Sequence, residues 1–371
     1  MNSAINIEQL KVGEISPFPI YDCDGNLLLQ KGKLIHNECQ LKALLTKGVN
    51  YIATPLAKTS PIKTDGIELR QVYGEQLFDA INDIIYRLSD VFTGIIDNTP
   101  SACEALYGIA RDLQCVYNAD PDASVASIHI GHDHPYSLIH PIQKAILSNA
   151  LCISLDMPHT QRLSIICAAL TANISIIELQ DKLQHQEQPL NPEQKSLIQS
   201  HPLDSVEILR KAGFIDNDML MAIEQHHEAL DGTGYPYQLS ADHISTGAAI
   251  LSVADRYCAM VTARSYRNPL CAHEALQSFI TAQDKQIDET LTITCINELG
   301  IYPPGSFVNL VNGETAIVIK RGGHGNMTPT VSSFISPKGG LYIRPFKRDT
   351  AHKDYAITGY SDDNDYCTLT A

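Results

Sequence analysis

The stretch HHEALDGTGYP, residues 226 to 236, places two adjacent histidines and two carboxylates before a glycine-rich turn that ends in proline. Successive side chains on an α-helix point about 100° apart, so His226 and His227 converge on one point only where a helix ends. The glycines of the turn permit the backbone conformations of such an end. We therefore predict that a helix stops at the histidine pair. The turn residues that we expect to line a pocket are Gly234, Tyr235 and Pro236.

The composition describes an ordinary globular protein of 371 residues, with 44% hydrophobic and 19% charged residues. The formal net charge of −15 argues against broad binding to DNA, RNA or anionic membranes. The N-terminal residues lack a basic region followed by an apolar run, and no apolar run reaches the roughly 20 residues of a membrane span. Ten cysteines without a C-x-x-C pattern suit a reducing cytosol and disfavour a thiolate zinc site. We expect a cytoplasmic protein.

Patterning along the chain predicts four parts. These are a small α/β N-terminal domain (1–65), a helical connector (66–120), a helical domain (121–300) and a β-rich C-terminal extension with a polar tail (301–371). In the first part Asp24-Gly25 marks a hairpin, and Gly48 follows a predicted helix. In the last part Asn312-Gly313 lies between two apolar runs and is the strongest hairpin signal in the chain. The predicted fold class is mainly α, with a small α/β domain and a β-rich extension.

The connector contains a predicted long amphipathic helix. Its apolar residues recur at three- and four-residue steps from Leu77 to Ile95. This face packs on its own domain, or it forms the seam of a homodimer. The unusual length of the helix keeps the second option open.

Asp255 lies in GAAILSVADRYCAMVTA, a helical pattern whose apolar residues nearly encircle it. A carboxylate buried there needs a metal, a cation or several hydrogen-bond donors. A salt bridge to Arg264, about two turns further on, is the structural alternative. Asp255 is therefore a candidate metal ligand with a competing explanation.

His201 and His140 each precede a proline. Pro192 and Pro202 suit the first turns of two successive helices, which would place His201 at their junction. Alone, a histidine before a proline is more often a capping or core residue than a ligand.

Together these segments resemble the HD-GYP family, metal-dependent phosphohydrolases of the HD superfamily whose usual substrate is cyclic di-GMP. The resemblance runs from roughly Tyr136 to Leu299 and rests on HHEALDGTGYP, on SVAD-x-Y-x-AM, on TARSYR and on LNPEQ before SHP. It implies an HD-domain-like helical bundle in a bacterial-type signalling protein. The N-terminal unit also resembles small domains found ahead of HD-GYP modules.

The resemblance also implies site residues. The positions that match the family's metal ligands are His140, His201, His226, His227 and Asp255. Family members that bind three metals carry a further carboxylate, and this chain has Tyr136 at the matching position. Arg264 and Arg267 are the better candidates for phosphate contact, because arginine offers bidentate geometry, although a helix-end salt bridge would also explain them. The literal His132-Asp133 pair precedes the matching helix, and a polar loop explains it better than a metal role.

The defining His-Asp doublet is replaced in this chain. A run like AALLHDIGK reads CAALTANISI here, with Ala172 in place of the histidine and Asn173 in place of the aspartate. Ala172 cannot ligate a metal, and the neutral Asn173 bridges two dications poorly. One metal position keeps at most His140 and Asp255. The other keeps three imidazoles, a sufficient set for one ion of Fe, Mn, Ni or Zn.

Three functions remain open. The preferred one binds a metal ion and cyclic di-GMP, or a related cyclic dinucleotide, or a partner, with weak or no hydrolysis, because losing such parts costs orders of magnitude in rate. The second is an active cyclic di-GMP phosphodiesterase with an atypical metal site. The third is a non-catalytic scaffold that docks on a diguanylate cyclase. Metal content and turnover measurements separate the three.

Overall fold

A computed structural model describes residues 11–16, 20–21, 27–30, 33–47, 49–50, 75–130, 134–262, 269–281, 286–322 and 327–361. Contacts within the chain divide these residues into two compact units. The first comprises residues 11–50, 307–322 and 328–361, and the second comprises residues 75–306 with residue 327. The four-part division made from the sequence stays a prediction.

The first unit contains two antiparallel sheets. The first sheet has the order β2-β1-β3, from β1 (Ile20–Tyr21), β2 (Leu27–Leu29) and β3 (Val49–Asn50), with the helix α1 (Glu38–Lys47) before β3. The second sheet has the order β7-β6-β5-β4-β8, from β4 (Phe307–Leu310), β5 (Thr315–Lys320), β6 (Thr330–Ile335), β7 (Leu341–Asp349) and β8 (Ile357–Tyr360).

The hairpin predicted at Asn312-Gly313 is confirmed. Strands β4 and β5 pair on either side of it with Val308 opposite Ala316, and Gly313 adopts a φ of 83°, a conformation that favours glycine. Asp24-Gly25 and Gly48 lie outside the described residues. Strands β1 and β2, which lie on either side of Asp24-Gly25, pair in the antiparallel direction.

The second unit is helical, in agreement with the predicted fold class. Its helices are α2 (Glu75–Ile96), α3 (Ala102–Ala119), α4 (Pro121–His129), α5 (Tyr136–Ser154), α6 (His159–Thr171), α7 (Ile177–Gln184), α8 (Pro192–Lys211), α9 (Asn217–Gln225), α10 (Thr246–Val261), α11 (Ala272–Thr281) and α12 (Glu289–Leu299). Helices α5, α6 and α10 lie in the core and carry the positions that matter for the site.

Helix α2 is the predicted amphipathic helix. Its apolar stripe is buried in the hydrophobic core of its own unit, where Ile81, Ile84, Leu88 and Ile95 are each at most 1% exposed. Full burial of such a side chain stabilises the fold by about 1.5–3 kcal/mol. Packing within the unit therefore accounts for this stripe.

The prediction of two successive helices around Pro202 was wrong. Helix α8 is continuous from Pro192 to Lys211, with Pro202 inside it. Pro192 does begin this helix, after the capping residue Asn191. A hydrogen bond made by the neighbouring His201, described below, offsets part of the cost of the internal proline.

One helical stretch of the described residues, His159–Gln184, is apolar and long enough to cross a membrane by length and composition alone. Most of its apolar window (67%) is buried inside the protein, as in the core helix of a soluble protein. The stretch is therefore weak evidence for a membrane span.

Candidate metal centre

Three of the predicted ligands come together in the helical unit. His201 lies inside α8, His226 directly follows the end of α9, and His227 is the next residue. One ring nitrogen from each histidine lies within 4.8 Å of the others. His201 and His226 are buried, and their Nε2 atoms are 3.3 Å apart. The predicted helix end at the histidine pair is confirmed, since α9 stops at Gln225.

The hydrogen bonds of two rings fix where their lone pairs point. Nδ1 of His201 donates to the carbonyl oxygen of Ile198 at 2.6 Å, and Nδ1 of His226 donates to that of Ile223 at 2.7 Å. A carbonyl can only accept, so each Nδ1 carries the proton. Burial lowers the pKa of His201 to about 4 and holds the pKa of His226 well below its ordinary value. Both rings are neutral at pH 7.

Neutral rings with these tautomers have a lone pair on each Nε2. Across 3.3 Å the lone pairs of His201 and His226 face one another, which is unfavourable unless a cation lies between or beside them. A borderline-soft divalent ion bound by three neutral imidazoles satisfies this requirement. The residues present therefore fit one such ion.

Pro202 explains part of this geometry. A non-proline residue at this position would donate its backbone N–H to the carbonyl of Ile198, four residues earlier. Because proline has no N–H, that carbonyl remains available, and the His201 ring takes it. The internal proline thus orients the imidazole, with Nε2 directed toward His226.

The turn that follows the histidine pair packs back against it. The ring of Tyr235 stacks on His227 with centroids 4.8 Å apart, and the Tyr235 amide donates to the His227 carbonyl at 3.1 Å. A Cβ on Gly234 would lie 2.5 Å from Cα of Glu228, so only glycine fits there. Burial lowers the pKa of His227 to about 3, so this ring is also neutral. Pro236 follows, half-buried.

Glu228 holds the far side of this turn, and sequence reasoning missed it. Its buried carboxylate accepts hydrogen bonds from the amides of Tyr237 at 2.6 Å and Leu239 at 2.8 Å. A glutamate within a motif of histidines suggests a ligand, but this one stabilises the backbone of the turn.

The other half of the predicted site contains a cation of the protein itself. Lys144, on α5, is 0% exposed, and its Nζ lies 3.1 Å from Oδ1 of Asp255 and 2.7 Å from Oδ1 of Asn173. His140 Nε2 lies 3.0 Å from the same Asp255 oxygen. Ala172, at the other doublet position, is buried and contributes no polar atom. The Lys144 ammonium thus lies among the residues that match one metal position.

These contacts also determine the charge of Asp255. Burial alone would raise the pKa of this carboxyl, but the Lys144 ammonium and the His140 hydrogen bond outweigh it and hold the pKa well below its usual range. Tyr136, at the place of the third-metal carboxylate, stacks on His140 with centroids 4.8 Å apart. The predicted alternative of an Arg264 partner is untested, because Arg264 lies outside the described residues.

The structure therefore places the matching residues in two groups. One is the cluster of three histidines, and the other is the His140–Asp255 pair with Lys144. Arg267 and the His132-Asp133 pair, like Arg264, lie outside the described residues. Lys144 was missed, although a lysine one turn after His140 in an otherwise buried helix was the available signal.

Comparison with known proteins assigns this part of the chain to a family. Residues 129–291 match the model of the HD domain. This part of the chain is an HD domain. The match includes α5, α6 and α10 and every residue of the two groups.

Several named relatives of the chain are cyclic-dinucleotide phosphodiesterases. A cyclic di-GMP phosphodiesterase of Pseudomonas aeruginosa is 26% identical over 223 residues, covering 60% of this chain and 54% of the relative. The cyclic di-GMP phosphodiesterase PdeB of Borreliella burgdorferi is 24% identical over 184 residues, covering 50% and 48%. A 3'3'-cGAMP-specific phosphodiesterase of Vibrio cholerae is 28% identical over 142 residues, covering 38% and 31%. The chain spans about half the length of the first two relatives.

A solved structure of an HDGYP protein from Bdellovibrio bacteriovorus shows the same fold. It aligns with 79% of this chain and 97% of its own length, with a TM-score of 0.52 and 17% identity. Together, the match to the HD domain model, the named relatives and this shared fold confirm the resemblance to HD-GYP proteins that the sequence suggested.

Proposed function

We propose that this HD domain binds one divalent ion through His201, His226 and His227, together with a cyclic dinucleotide, and hydrolyses the dinucleotide weakly or not at all. The observation that carries the proposal is the facing pair of neutral imidazoles, with the third ring nearby. HD-domain phosphohydrolases are metal-dependent, which agrees with this ligand set. Fe, Mn, Ni and Zn all suit three imidazoles.

The count of one ion follows from Lys144. Its ammonium interacts with Asp255 and Asn173 in the half of the centre that the family would use for a second ion. A dication placed beside the same oxygens would meet a buried positive charge at short range and would be repelled. Asn173 offers no negative charge to offset that repulsion. We infer that Lys144 substitutes for the second metal ion.

A lysine in place of the second metal ion affects nucleotide binding and phosphodiester hydrolysis differently. When bound, a divalent ion in such a centre supplies an acidified water and polarises a phosphoryl oxygen. Lys144 supplies a positive charge that keeps Asp255 ionised, but an ammonium offers no open coordination position. It therefore cannot serve as the second clamp on an in-line displacement. The centre retains positive potential toward a phosphodiester while losing a part that accelerates its hydrolysis.

The nucleotide is proposed from the relatives, which are named for cyclic di-GMP and for 3'3'-cGAMP. The turn at Gly234, Tyr235 and Pro236 is the surface we expect to contact it, with Arg264 and Arg267 as the predicted phosphate contacts. We propose that the protein acts in the cytoplasm. Docking on a diguanylate cyclase and homodimer formation remain predictions from the sequence.

Metal content and turnover of the unmodified protein test the proposal. We expect about one ion per chain, together with cyclic di-GMP binding and turnover far below roughly 1 per second. His226→Ala should lose the ion, whereas His185→Ala, at an exposed histidine that is not part of the cluster, should keep it. Less than about 0.1 ion per chain would refute the metal site. Turnover at ordinary enzyme rates that vanishes in His226→Ala would establish an active phosphodiesterase instead.

A further inference from the structure

A separate cavity lies in the HD domain, lined by polar residues of α3, α5 and α6. It measures about 280 Å³. The polar residues that line it are Arg111, Gln114, Asn118, Asn149, His159 and Arg162. His159 and Arg162 lie in the first turn of α6, whereas the doublet positions follow its last residue, Thr171. Thirteen residues at about 1.5 Å each separate the two ends by roughly 20 Å.

Asn149 is the buried polar group of this cavity. It is 2% exposed, and neither its amide nitrogen nor its amide oxygen has a hydrogen-bond partner in the described part of the chain. Buried amides are almost always hydrogen-bonded, because leaving one unsatisfied is costly. An amide that lines a cavity with both atoms unsatisfied points to a polar ligand inside it.

The charges around the cavity indicate the sign of that ligand. Nε of Arg162 is buried without a partner, and within the described ranges neither Arg162 nor Arg111 forms a salt bridge. By contrast, Arg87 and Arg210 do pair with carboxylates. In a chain of net charge −15, two arginines facing one cavity without a carboxylate form a local positive site.

The start of α6 adds to this positive potential. His159 is its first residue, and Pro158 before it provides no side-chain cap, so the first backbone N–H groups of the helix remain available. A helix N-terminus carries a partial positive charge and favours anions. The helix end, the arginines and the buried amide surround the same small space.

We propose that this cavity binds the phosphate group of a small molecule. Two guanidinium groups can each hold phosphate oxygens in bidentate geometry, and the Asn149 amide nitrogen can donate to a third oxygen. The Asn149 amide oxygen then accepts from a hydroxyl of the ligand. The volume lies at the lower edge of small-molecule sites, which suits free phosphate or a short phosphate ester rather than a dinucleotide.

Calorimetric titration of the metal-free full-length chain tests this, because chelation prevents phosphate from binding at the metal centre. The probes are inorganic phosphate and glycerol 3-phosphate. We expect one site per chain with a Kd below about 1 mM. Tighter binding of glycerol 3-phosphate identifies an ester site, and equal or tighter binding of inorganic phosphate identifies a free-phosphate site. No binding of either probe at 10-fold higher concentration than this Kd overturns the proposal.

Two variants locate the binding. Arg162→Met should raise the Kd by about tenfold or more, whereas Arg210→Met, the same charge change at a salt-bridged surface arginine, should leave it unchanged. Asn149→Asp puts a carboxylate of almost the same size among the arginines. It should raise the melting temperature and abolish phosphate binding, since the protein then supplies its own anion. A lower melting temperature in Asn149→Asp, or unchanged binding in both variants, refutes the site.

Discussion

Replacing Lys144 by methionine tests whether the lysine ammonium stabilises the charge of Asp255 in the second group of residues. Methionine keeps most of the side-chain volume but removes the ammonium. The ion pair of 3.1 Å with Asp255 and the hydrogen bond of 2.7 Å with Asn173 are lost together. The Asp255 carboxylate, 16% exposed, then keeps His140 as its remaining described hydrogen-bond partner.

The magnitude follows from the burial of these groups. Lys144 is 0% exposed, so water cannot replace the contacts that it loses. Removing one member of a buried ion pair costs about 3–5 kcal/mol, because the other charge is left uncompensated. We expect Lys144→Met to lower the free energy of unfolding by this amount. Lys195→Met, the same change at an exposed lysine, should stay within about 0.5 kcal/mol of the parent.

Urea unfolding with a chelator present measures these values without a metal ion that could replace the lysine. Asp255→Asn and the double variant complete a double-mutant cycle. Because the double variant removes both charges, its loss should be at least about 2 kcal/mol smaller than the sum of the single losses. A loss below about 1 kcal/mol in Lys144→Met, or a coupling energy near zero, would refute the reasoning.

Two further predictions concern metal content and pH. The double variant Ala172→His with Asn173→Asp, which restores the doublet, should still bind about one ion per chain. Adding Lys144→Ala to it should raise the metal content to about two ions per chain. Two ions in the double variant, which retains Lys144, would contradict the role of Lys144 as a substitute for the second ion. In the metal-free protein His201 is buried and neutral, with a pKa of about 4 in the folded state against about 6.5 in the unfolded chain. Because the unfolded chain therefore binds a proton more readily, the folded state loses stability as the pH falls from 6.5 toward 4. Between pH 7 and pH 5 this loss amounts to about 2 kcal/mol, and His201→Gln should flatten the measured pH dependence by that amount.

The parts of the fold that the sequence predicted correctly depend on local patterns. The Asn312-Gly313 hairpin is specified by two turn residues between apolar runs, and the stripe of α2 by a repeat within a single helix. Pro202 shows where local rules fail. A proline usually begins or ends a helix, but here the carbonyl that it leaves free is taken by the adjacent His201 ring, so the helix continues. That compensation depends on a side-chain contact that no propensity describes.

The same distinction applies to the candidate centre. The three-histidine cluster was predicted from the resemblance to HD-GYP proteins, and two of its members belong to one contiguous motif whose turn packs back on His227. The sequence carried a signal that Lys144 is buried, but its ion pair could not be predicted, because the contacts form only where the fold brings Lys144 beside Asn173 and Asp255. The doublet positions alone show where this chain differs from the family's motif. They do not show which side chains contact those positions.

The side chains of the second group depend on one another for charge and hydrogen bonding, and this dependence offers an explanation of His140 and Asp255 that needs no metal ion. An aspartate at position 173 with two dications would leave no place for the Lys144 ammonium, whereas Asn173 accepts its hydrogen bond without adding charge. Conversely, without Lys144 the largely covered Asp255 carboxylate, 16% exposed, would lack a balancing cation. His140 and Asp255 match family ligands, but their contacts here are explained by the lysine and by each other. Their presence is therefore no argument for a second metal ion, and the case for metal binding depends on the three imidazoles.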